Sequence, residues 1–357
     1  MRSGTESFIC RMVKIIPYQD IDQVEWSRLV ASSATGTWFQ SPEAYSFYQS
    51  LPDLFRPFAV AVKSEELRAK SQELRGVCVG YVTRDCNALR QVFTRRAIIN
   101  GGPVLANDAT PEEVEALMSA VRKALMNEPL SLNDRPIYIE TRNFHDYSEW
   151  KGAFRQAGFE YRPHLNFYID CRDKEAMWER LSERRRREIT KARKSGVTVE
   201  EATSEQEVAD WYSILHELYR TKVKTPLFPA ELFLAFYRSR AGKYLLVKHN
   251  GKIIGGIMCP ILEGRCIYEW YICGLDKEYR DQSPSVMATW AAMEYANAHG
   301  LPMFDIMGAG EPGVPYGVRD FKAEFGGELV EHGRYLCITK PLLYRIGVLG
   351  VKIMKRN

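Results

Sequence analysis

The chain has 357 residues, of which 45% are hydrophobic and 26% are charged, and its formal net charge is +4. This length exceeds that of one ordinary hydrophobic core and suits two domains. No apolar run approaches the roughly 18 residues of a membrane span, and the N-terminus lacks the pattern of a secretory signal. The eight cysteines are scattered without metal-binding spacing. We therefore expect a soluble, cytoplasmic protein without disulfides or a structural metal.

The first half alternates strand-like and helical segments. A polar stretch at residues 63–75 is predicted to be a solvated hairpin excursion, and a Thr110/Glu113 capping box predicts a helix start. The predicted order is a strand near 12–16, a helix at 20–33, a helix opened by Ser41-Pro42, strands at 55–62 and 76–83, a strand ending at Gly101-Gly102-Pro103, the capped helix, a strand at 136–142, a helix at 147–157 and a strand at 159–170.

The second half repeats this order. Asn250-Gly251 and Glu263-Gly264 are hairpin signals that join three strands into an antiparallel meander. The predicted order is a helix at 177–194, a strand at 197–202, helices at 205–220 and 229–240, strands at 243–249, 252–262 and 266–276, a helix capped by Ser283-Pro284, a strand at 303–307, a helix at 319–325 and a strand at 328–339.

The two halves end alike. Each has an aromatic-Lys-x-x-Phe helix, with Lys151 and Phe154 in the first copy and Lys322 and Phe325 in the second, followed by glycine and a closing strand. A duplicated domain is the economical explanation, and a chance match of two short helices is the alternative.

The order of meander, capped helix, strand, helix and strand resembles the acetyltransferase (GNAT) fold. The predicted fold class is α/β (α+β), with two tandem GNAT-like acyltransferase domains whose mixed, mostly antiparallel sheets are flanked by helices. The predicted domains are residues 1–170 and 171–340, followed by a basic amphipathic tail at 341–357.

Coenzyme A would ordinarily place its pyrophosphate on free backbone N–H groups of a glycine-rich turn before the central helix of such a fold. Here the turn from Tyr279 to Pro284 has no glycine, contains Asp281, and loses a donor at its proline. The usual mode of coenzyme A binding is therefore not expected, and we predict no cofactor and no metal.

The helix predicted at 177–194 is strongly basic. Its charged residues recur every three or four positions and so should share one face, on which a polyanion such as tRNA could bind. They are Arg180, Arg184, Arg187, Lys191 and Lys194. A solvated surface helix remains the alternative.

The clearest chemistry lies in the glycine-rich loop Gly308 to Gly317 and the helix after it. The loop follows a buried strand, at the end where α/β sheets tend to bind ligands, and Tyr316, Arg319 and Lys322 come directly afterwards. Glu269, beside Tyr271 on an aromatic-rich strand, could act as a general base, although such carboxylates are more often paired or solvated. No Ser-His-Asp or Cys-His arrangement is evident.

These segments resemble the FemAB/FemX family of non-ribosomal peptidyltransferases. The matching pieces are FQSPEAY, INGGPVL, RRREITKARKSGV, YEWYICGLD, FDIMGAG and YGVRDFKAEFGG. The resemblance implies transfer of an amino acid from aminoacyl-tRNA to an amine of a peptidoglycan precursor.

The resemblance also implies roles for single residues. It implies that Lys322 binds phosphate or the developing oxyanion, and that Tyr316 and Phe321 shape a channel for the tRNA end. With Glu269 as base, the catalytic set is Lys322, Tyr316 and Glu269. The implied substrate-binding residues are Phe321, Arg319, Tyr271, Gly102 and Gln40, and the implied tRNA or phosphate contacts are Arg184, Arg187 and Lys191.

Two other functions stay open. One is an acyl-CoA-dependent N-acyltransferase acting on another polar or lipid-linked acceptor. The other is a non-catalytic protein that binds RNA or membrane through the basic helix and the tail. The tail, PLLYRIGVLGVKIMKRN, could touch the anionic inner face of a membrane or could form a packed or frayed terminal helix.

Overall fold

The computed structural model describes residues 12–65, 73–85, 91–92, 94–126 and 135–354. The predicted excursion at 63–75 lies largely outside this range. The chain divides into two compact units. The first contains the residues up to Tyr45, Arg56–Tyr161 and Tyr335–Lys340, and the second contains Ser46–Phe55, Arg162–Arg334 and the residues from Pro341 onward.

An eight-stranded sheet organises the first unit, with the order β1-β2-β3-β4-β6-β16-β7 and β5 paired to β3. Pairing of β4 with β6 is parallel, whereas β1 with β2 and β3 with β4 are antiparallel. The strands are β1 (Met12–Pro17), β2 (Phe55–Glu65), β3 (Leu74–Thr83), β4 (Ala97–Gly101), β5 (Val104–Leu105), β6 (Tyr138–Asn143), β7 (Glu160–Arg162) and β16 (Arg334–Ile338). The helices are α1 (Gln23–Ser32), α2 (Pro42–Gln49), within which the division between units falls, α3 (Pro111–Met126) and α4 (Lys151–Gln156).

The predicted start of α3 is confirmed in atomic detail. The Thr110 hydroxyl accepts a hydrogen bond from Glu113 N at 3.3 Å, and the Glu113 carboxylate accepts one from Thr110 N at 2.9 Å. This reciprocal capping satisfies two helix-end donors. One face of α3, including Val114, Leu117 and Val121, is fully buried in the core of the first unit.

A second eight-stranded sheet has the order β15-β8-β14-β12-β11-β10-β9, with β13 paired to β11. Its strands are β8 (Leu165–Asp170), β9 (Val197–Glu201), β10 (Gly242–His249), β11 (Lys252–Leu262), β12 (Cys266–Tyr268), β13 (Tyr271–Gly274), β14 (Met303–Asp305) and β15 (Glu328–Glu331). Its helices are α5 (Lys174–Arg180), α6 (Glu183–Lys194), α7 (Glu205–Leu218), α8 (Ala230–Ser239), α9 (Pro284–Ala298), α10 (Gly317–Ala323) and α11 (Pro341–Met354). The predicted fold class is confirmed: two mixed sheets with flanking helices form two GNAT-like halves.

The ends of the two halves are exchanged between the sheets. The strand predicted at 159–170 splits into β7, which stays in the first sheet, and β8, which joins the second. The strand predicted at 328–339 splits in the same way into β15 and β16, and β16 returns to the first sheet between β6 and β7. The compact units therefore do not coincide with a single cut at residue 170.

Two elements predicted as continuous are broken. The helix predicted at 177–194 stops at Arg180, and Ser182 caps a new helix by accepting a hydrogen bond from Arg185 N at 3.2 Å. Arg180 therefore does not belong to the helix that carries Arg184. The strand predicted at 266–276 is interrupted at Glu269 and Trp270, between β12 and β13.

Helix α11 follows the last strand. None of the helices in the described part of the chain has the length and apolar character needed to cross a membrane.

Candidate functional site

The candidate site lies in the second unit, where β12 and β14 end together. These strands run parallel, with Tyr268 opposite Asp305. Beyond them the sheet opens, because β13 pairs only with β11 among the described strands while the chain after β14 enters the glycine-rich loop. Glu269 stands at the opening, and its N–H donates to the Asp305 carbonyl at 2.9 Å.

Lys322 of α10 reaches this opening from the other side. Its Nζ lies 3.0 Å from Glu269 Oε1 and 3.2 Å from the Gly308 carbonyl, and it also donates to the carbonyls of Ile306 and Met307. Both charged side chains are buried, with Lys322 at 8% and Glu269 at 7% exposure. An ammonium group has three N–H donors and here meets four oxygens, so none is left to bind a phosphate or an oxyanion. In this geometry Lys322 therefore positions Glu269 and the loop, which differs from the role that the resemblance implied.

Glu269 is an ionisable group in an environment that disfavours its charge. Burial raises the pKa of this carboxyl group, and the adjacent Lys322 opposes the rise. A carboxylate whose pKa is raised binds a proton more readily, so Glu269 stays the candidate base.

Asp305, at the end of β14, supports the loop that holds Lys322. Its Oδ1 accepts hydrogen bonds from Met307 N at 2.7 Å and Asn166 Nδ2 at 2.9 Å, which fixes Met307 in a left-handed conformation with φ of 45°. Burial raises the pKa of Asp305 to about 7, against the lowering effect of these hydrogen bonds. Its Oδ2 is buried and has no hydrogen-bond partner among the described residues.

The two phenylalanines of the F-K-x-x-F segment hold Arg185, a contact that the sequence did not reveal. The Arg185 guanidinium lies 4.3 Å from the Phe321 ring centroid and 5.3 Å from that of Phe325. It also pairs with Glu188 at 2.5 Å and with Glu324 at 2.8 Å. Phe321 therefore packs against a buried cation of α6, and the geometry does not support the channel-lining role expected for it. The sequence held one signal for this contact: Arg185 interrupts a row of apolar residues on the opposite side of the predicted helix, formed by Trp178, Leu181, Ile189 and Ala192.

Tyr316 and Arg319 behave differently although both follow the loop. Tyr316 is 42% exposed and precedes α10, so its hydroxyl can meet a ligand. The Arg319 guanidinium donates instead to the loop carbonyls of Glu311, at 3.2 Å, and Val314. Arg319 thus closes the glycine-rich loop on itself rather than facing outward.

Tyr271 belongs to an aromatic cluster next to an open pocket of about 400 Å³. Its ring centroid lies 5.0 Å from that of Phe233 and 6.3 Å from that of Tyr219, which lines the pocket. Burial raises the pKa of Tyr219 to about 12, and Tyr316 and Glu269 act on it in the same direction. Tyr271 follows Glu269 by two residues, so the aromatic cluster lies next to Glu269 and is where a substrate group could bind.

Four basic residues of α6 line a surface trough of about 490 Å³, namely Arg186, Arg187, Lys191 and Lys194. Arg184 lies on the same helix outside this lining, and acidic neighbours offset part of the charge. Arg184 contacts Glu188 at 3.0 Å, Arg187 contacts Glu183 at 2.9 Å and Lys191 contacts Asp281 at 2.7 Å. All three cations stay more than half exposed, so they remain accessible to an anion.

Gln40 and Gly102, expected to bind substrate, have structural roles in the first unit. Gln40 is fully buried; its amide donates to the carbonyls of Val79 and Asn100, both at 2.8 Å, and accepts from Val79 N at 2.7 Å. Gly102 has φ of +79°, and a Cβ there would lie 2.7 Å from the Tyr147 ring. The Gln40 side chain is therefore fully used within the first unit, and Gly102 is required by its backbone conformation and by the contact with Tyr147.

The N-terminus of α9, where a GNAT fold would hold pyrophosphate, is closed by an internal carboxylate. Asp276 accepts hydrogen bonds from Ser285 N at 3.0 Å and from the Ser285 hydroxyl at 2.5 Å. Ser283, expected to cap the helix, instead adopts φ of 43° and makes no side-chain cap. Because Pro284 removes another donor, the two features together leave this helix end unsuited to a phosphate.

No group of three or more potential metal ligands occurs among the described residues. The six cysteines in the described ranges are buried and form no disulfide.

Comparison with known proteins supports the fold. Residues 180–322 match the acetyltransferase (GNAT) domain. The structure of FemX superposes with a TM-score of 0.69 at 13% identity, covering 93% of this chain and 99% of that one. No curated protein matches the chain by sequence.

Two further solved structures have the same architecture. L-PGS from Bacillus licheniformis has a TM-score of 0.53 at 11% identity, covering 94% of this chain and 97% of that one. A tandem GNAT protein from the clavulanic acid biosynthesis pathway has a TM-score of 0.51 at 11% identity, covering 91% and 98%. Identities this low establish the fold and not the substrate. The chain therefore has a tandem GNAT-like fold, and residues 180–322 within it match the GNAT acetyltransferase domain.

Proposed function

We propose that this protein transfers an amino acid from aminoacyl-tRNA to an amine of a peptidoglycan precursor, as a Fem-type aminoacyltransferase. The observation that favours aminoacyl-tRNA over acyl-CoA as the donor is the N-terminus of α9, which an internal carboxylate closes. Asp276 occupies the N–H group that would otherwise meet pyrophosphate, so a donor that needs no such site fits better than acyl-CoA. The tandem fold that such a reaction would use is shared with FemX over nearly the whole chain.

In the proposed reaction Glu269 is the base and Tyr316 the acid. The acceptor amine attacks the ester carbonyl of the donor, and Glu269 takes the proton that the amine loses. Tyr316, a residue that is 42% exposed, donates its phenolic proton to the departing ribose oxygen as the C–O bond breaks, and the proton held by Glu269 then restores the phenol. Lys322 keeps the Glu269 carboxylate in place, so it is a positioning residue.

The donor's phosphates would bind along α6. Arg184, Arg187 and Lys191 are accessible and offer charge without base recognition, which suits a backbone contact. Tyr271 and its aromatic neighbours would contact the acyl or acceptor group. Charged tRNA and this acceptor would place the reaction in the cytoplasm.

A direct assay tests the donor. The purified protein is incubated with tRNA charged with labelled amino acids and with peptidoglycan precursor, and label in the precursor is measured. We expect transfer by the wild type and a loss of at least about 100-fold in Glu269→Gln, the range of one general base. Absence of labelled product with every charged tRNA would overturn the proposal.

The alternative is an N-acyltransferase that uses acyl-CoA. The GNAT domain match favours it, whereas Pro284 and Asp276 speak against it. Saturable binding of acyl-CoA in calorimetry, together with acyl transfer to an amine, would replace tRNA as donor. Salt-dependent tRNA binding without turnover would instead indicate the non-catalytic RNA-binding alternative.

A further inference from the structure

Helix α11 presents an apolar face to solvent. Leu342, Ile346 and Leu349 are 73%, 47% and 60% exposed, and they follow one another at spacings of four and three residues. That spacing places them on one side of the helix. The other side, with Leu343 and Tyr344, is half-buried. A fully packed terminal helix, one of the alternatives considered from the sequence, would have buried Leu342, Ile346 and Leu349 as well.

The charge around this face has one sign. From Lys340 to Asn357 the sequence contains five lysines and arginines and no aspartate or glutamate. Arg345 is exposed and precedes Ile346, so a cation lies at the border of the apolar face. A face that is both apolar and uniformly cationic is complementary to a surface that is apolar inside and anionic outside.

The length of the helix decides how it would meet such a surface. The 14 residues described for this helix are fewer than the roughly 20 that span a bilayer, and with one apolar face they suit a position in the interface plane. There the three exposed apolar side chains would enter the acyl boundary while Arg345 stays among the headgroups.

We infer that α11 docks the protein on the surface of a membrane rich in anionic phospholipids. This inference goes beyond the proposed reaction, because binding requires neither tRNA nor a precursor. The corresponding partner is a vesicle that contains phosphatidylglycerol. A vesicle of zwitterionic phosphatidylcholine, which has no net charge, is not.

The test is sedimentation of the full-length protein with vesicles. We expect the wild type to bind phosphatidylglycerol-containing vesicles at least about tenfold more tightly than phosphatidylcholine vesicles, with binding weakened by salt. Leu349→Glu and Arg345→Glu should each reduce binding to anionic vesicles about tenfold or more.

Helix α1 offers a matched control. Val24 is 67% exposed and Arg28 is exposed four residues later, so Val24→Glu and Arg28→Glu make the same chemical changes on another helix. They should leave vesicle binding unchanged, and all four variants should keep the wild-type melting temperature because the altered side chains face solvent.

Equal binding by the α11 and α1 variants would overturn the inference, as would absence of binding by the wild type. Self-association that Leu349→Glu abolishes, without vesicle binding, would also overturn it and assign the face to a second copy. Vesicle binding is measured without tRNA or precursor. Failure of the transfer assay would therefore not affect this result, and failure of vesicle binding would not affect the proposed reaction.

Discussion

At the scale of single residues, the Lys322–Glu269 pair is where structure most changes the interpretation. From the sequence, Lys322 was expected to contact the substrate. In the structure its ammonium is enclosed by one carboxylate and three carbonyl oxygens. Buried charges persist only when they are paired and hydrogen-bonded, so removing either partner leaves an uncompensated charge.

Lys322→Met should therefore destabilise the protein as well as inactivate it. We expect a loss of about 3–5 kcal/mol in the free energy of unfolding, because Glu269 would remain buried and unpaired. The double variant Glu269→Gln, Lys322→Met should recover much of that loss. Urea unfolding followed by circular dichroism measures both. A stable Lys322→Met protein would instead show that the lysine serves only a ligand.

Asp305 should make stability depend on pH. Burial raises the pKa of this carboxyl group from its ordinary value of 3.8 to about 7 in the folded state. Below pH 4 Asp305 is protonated in both the folded and the unfolded state, so it does not lower the free energy of unfolding. Between pH 4 and 7 the unfolded state alone loses its proton, so stability falls by about 1.4 kcal/mol per pH unit from this group.

Asp305→Asn should remove this contribution, since its amide oxygen can still accept from Met307 N. We expect the variant to be more stable than the wild type at pH 8 and to lose this advantage near pH 4. Unfolding curves across that range measure the difference. A gap that stays constant with pH would show that Asp305 has an ordinary pKa.

At the scale of elements, Arg185 connects α6 to α10. Its guanidinium stacks on Phe321 and Phe325 and pairs with Glu188 and Glu324, so the position of the Lys322 helix depends on the preceding basic helix. The planar shape of the guanidinium lets it stack and make two ion pairs at once, which an ammonium cannot do.

Arg185→Lys should cost about 1–2 kcal/mol of stability and lower the transfer rate, since the charge remains but the stacking and one ion pair are lost. Arg184→Lys is the control. Arg184 is 64% exposed and shares Glu188, so its replacement should change stability by less than about 0.5 kcal/mol. Equal effects of the two variants on melting temperature would contradict the role of Arg185.

At the scale of the whole molecule, the strand exchange makes the first unit depend on the last part of the chain. β16 lies between β6 and β7, so the first sheet is incomplete until residue 338 has been reached. Tyr335 of this strand is 1% exposed and stacks on Phe154 at 3.9 Å. Contacts between residues this distant in sequence cost chain entropy to form, and they stabilise the sheet only after they have formed.

Truncation after Gly333 should therefore unfold the first unit although it removes no residue of the first half. Truncation after Lys340 keeps β16, loses only α11 and the residues after it, and should preserve the fold. Thermal unfolding and limited proteolysis distinguish the two proteins. Retention of a protected first unit in the shorter protein would argue against an essential β16.

Local patterns in the sequence determined most elements and the fold class. Periodicity and capping residues such as Thr110 and Glu113 act over a few positions, and those contacts survive into the folded chain. Hairpin signals such as Asn250-Gly251 likewise predicted the turns of the meander, and both of these residues have positive φ in the structure. The tandem GNAT-like fold followed from the order of these elements.

Tertiary structure alone decided which strand joins which sheet, what encloses Lys322, and that Asp276 rather than Ser283 caps α9. Strands such as β8 and β16 are buried over consecutive residues, and nothing in their own residues says which strand they will pair with. Three of the four oxygens around the Lys322 ammonium are backbone carbonyls, which every residue type supplies. Sequence patterns report local preference, whereas these outcomes depend on contacts between distant segments.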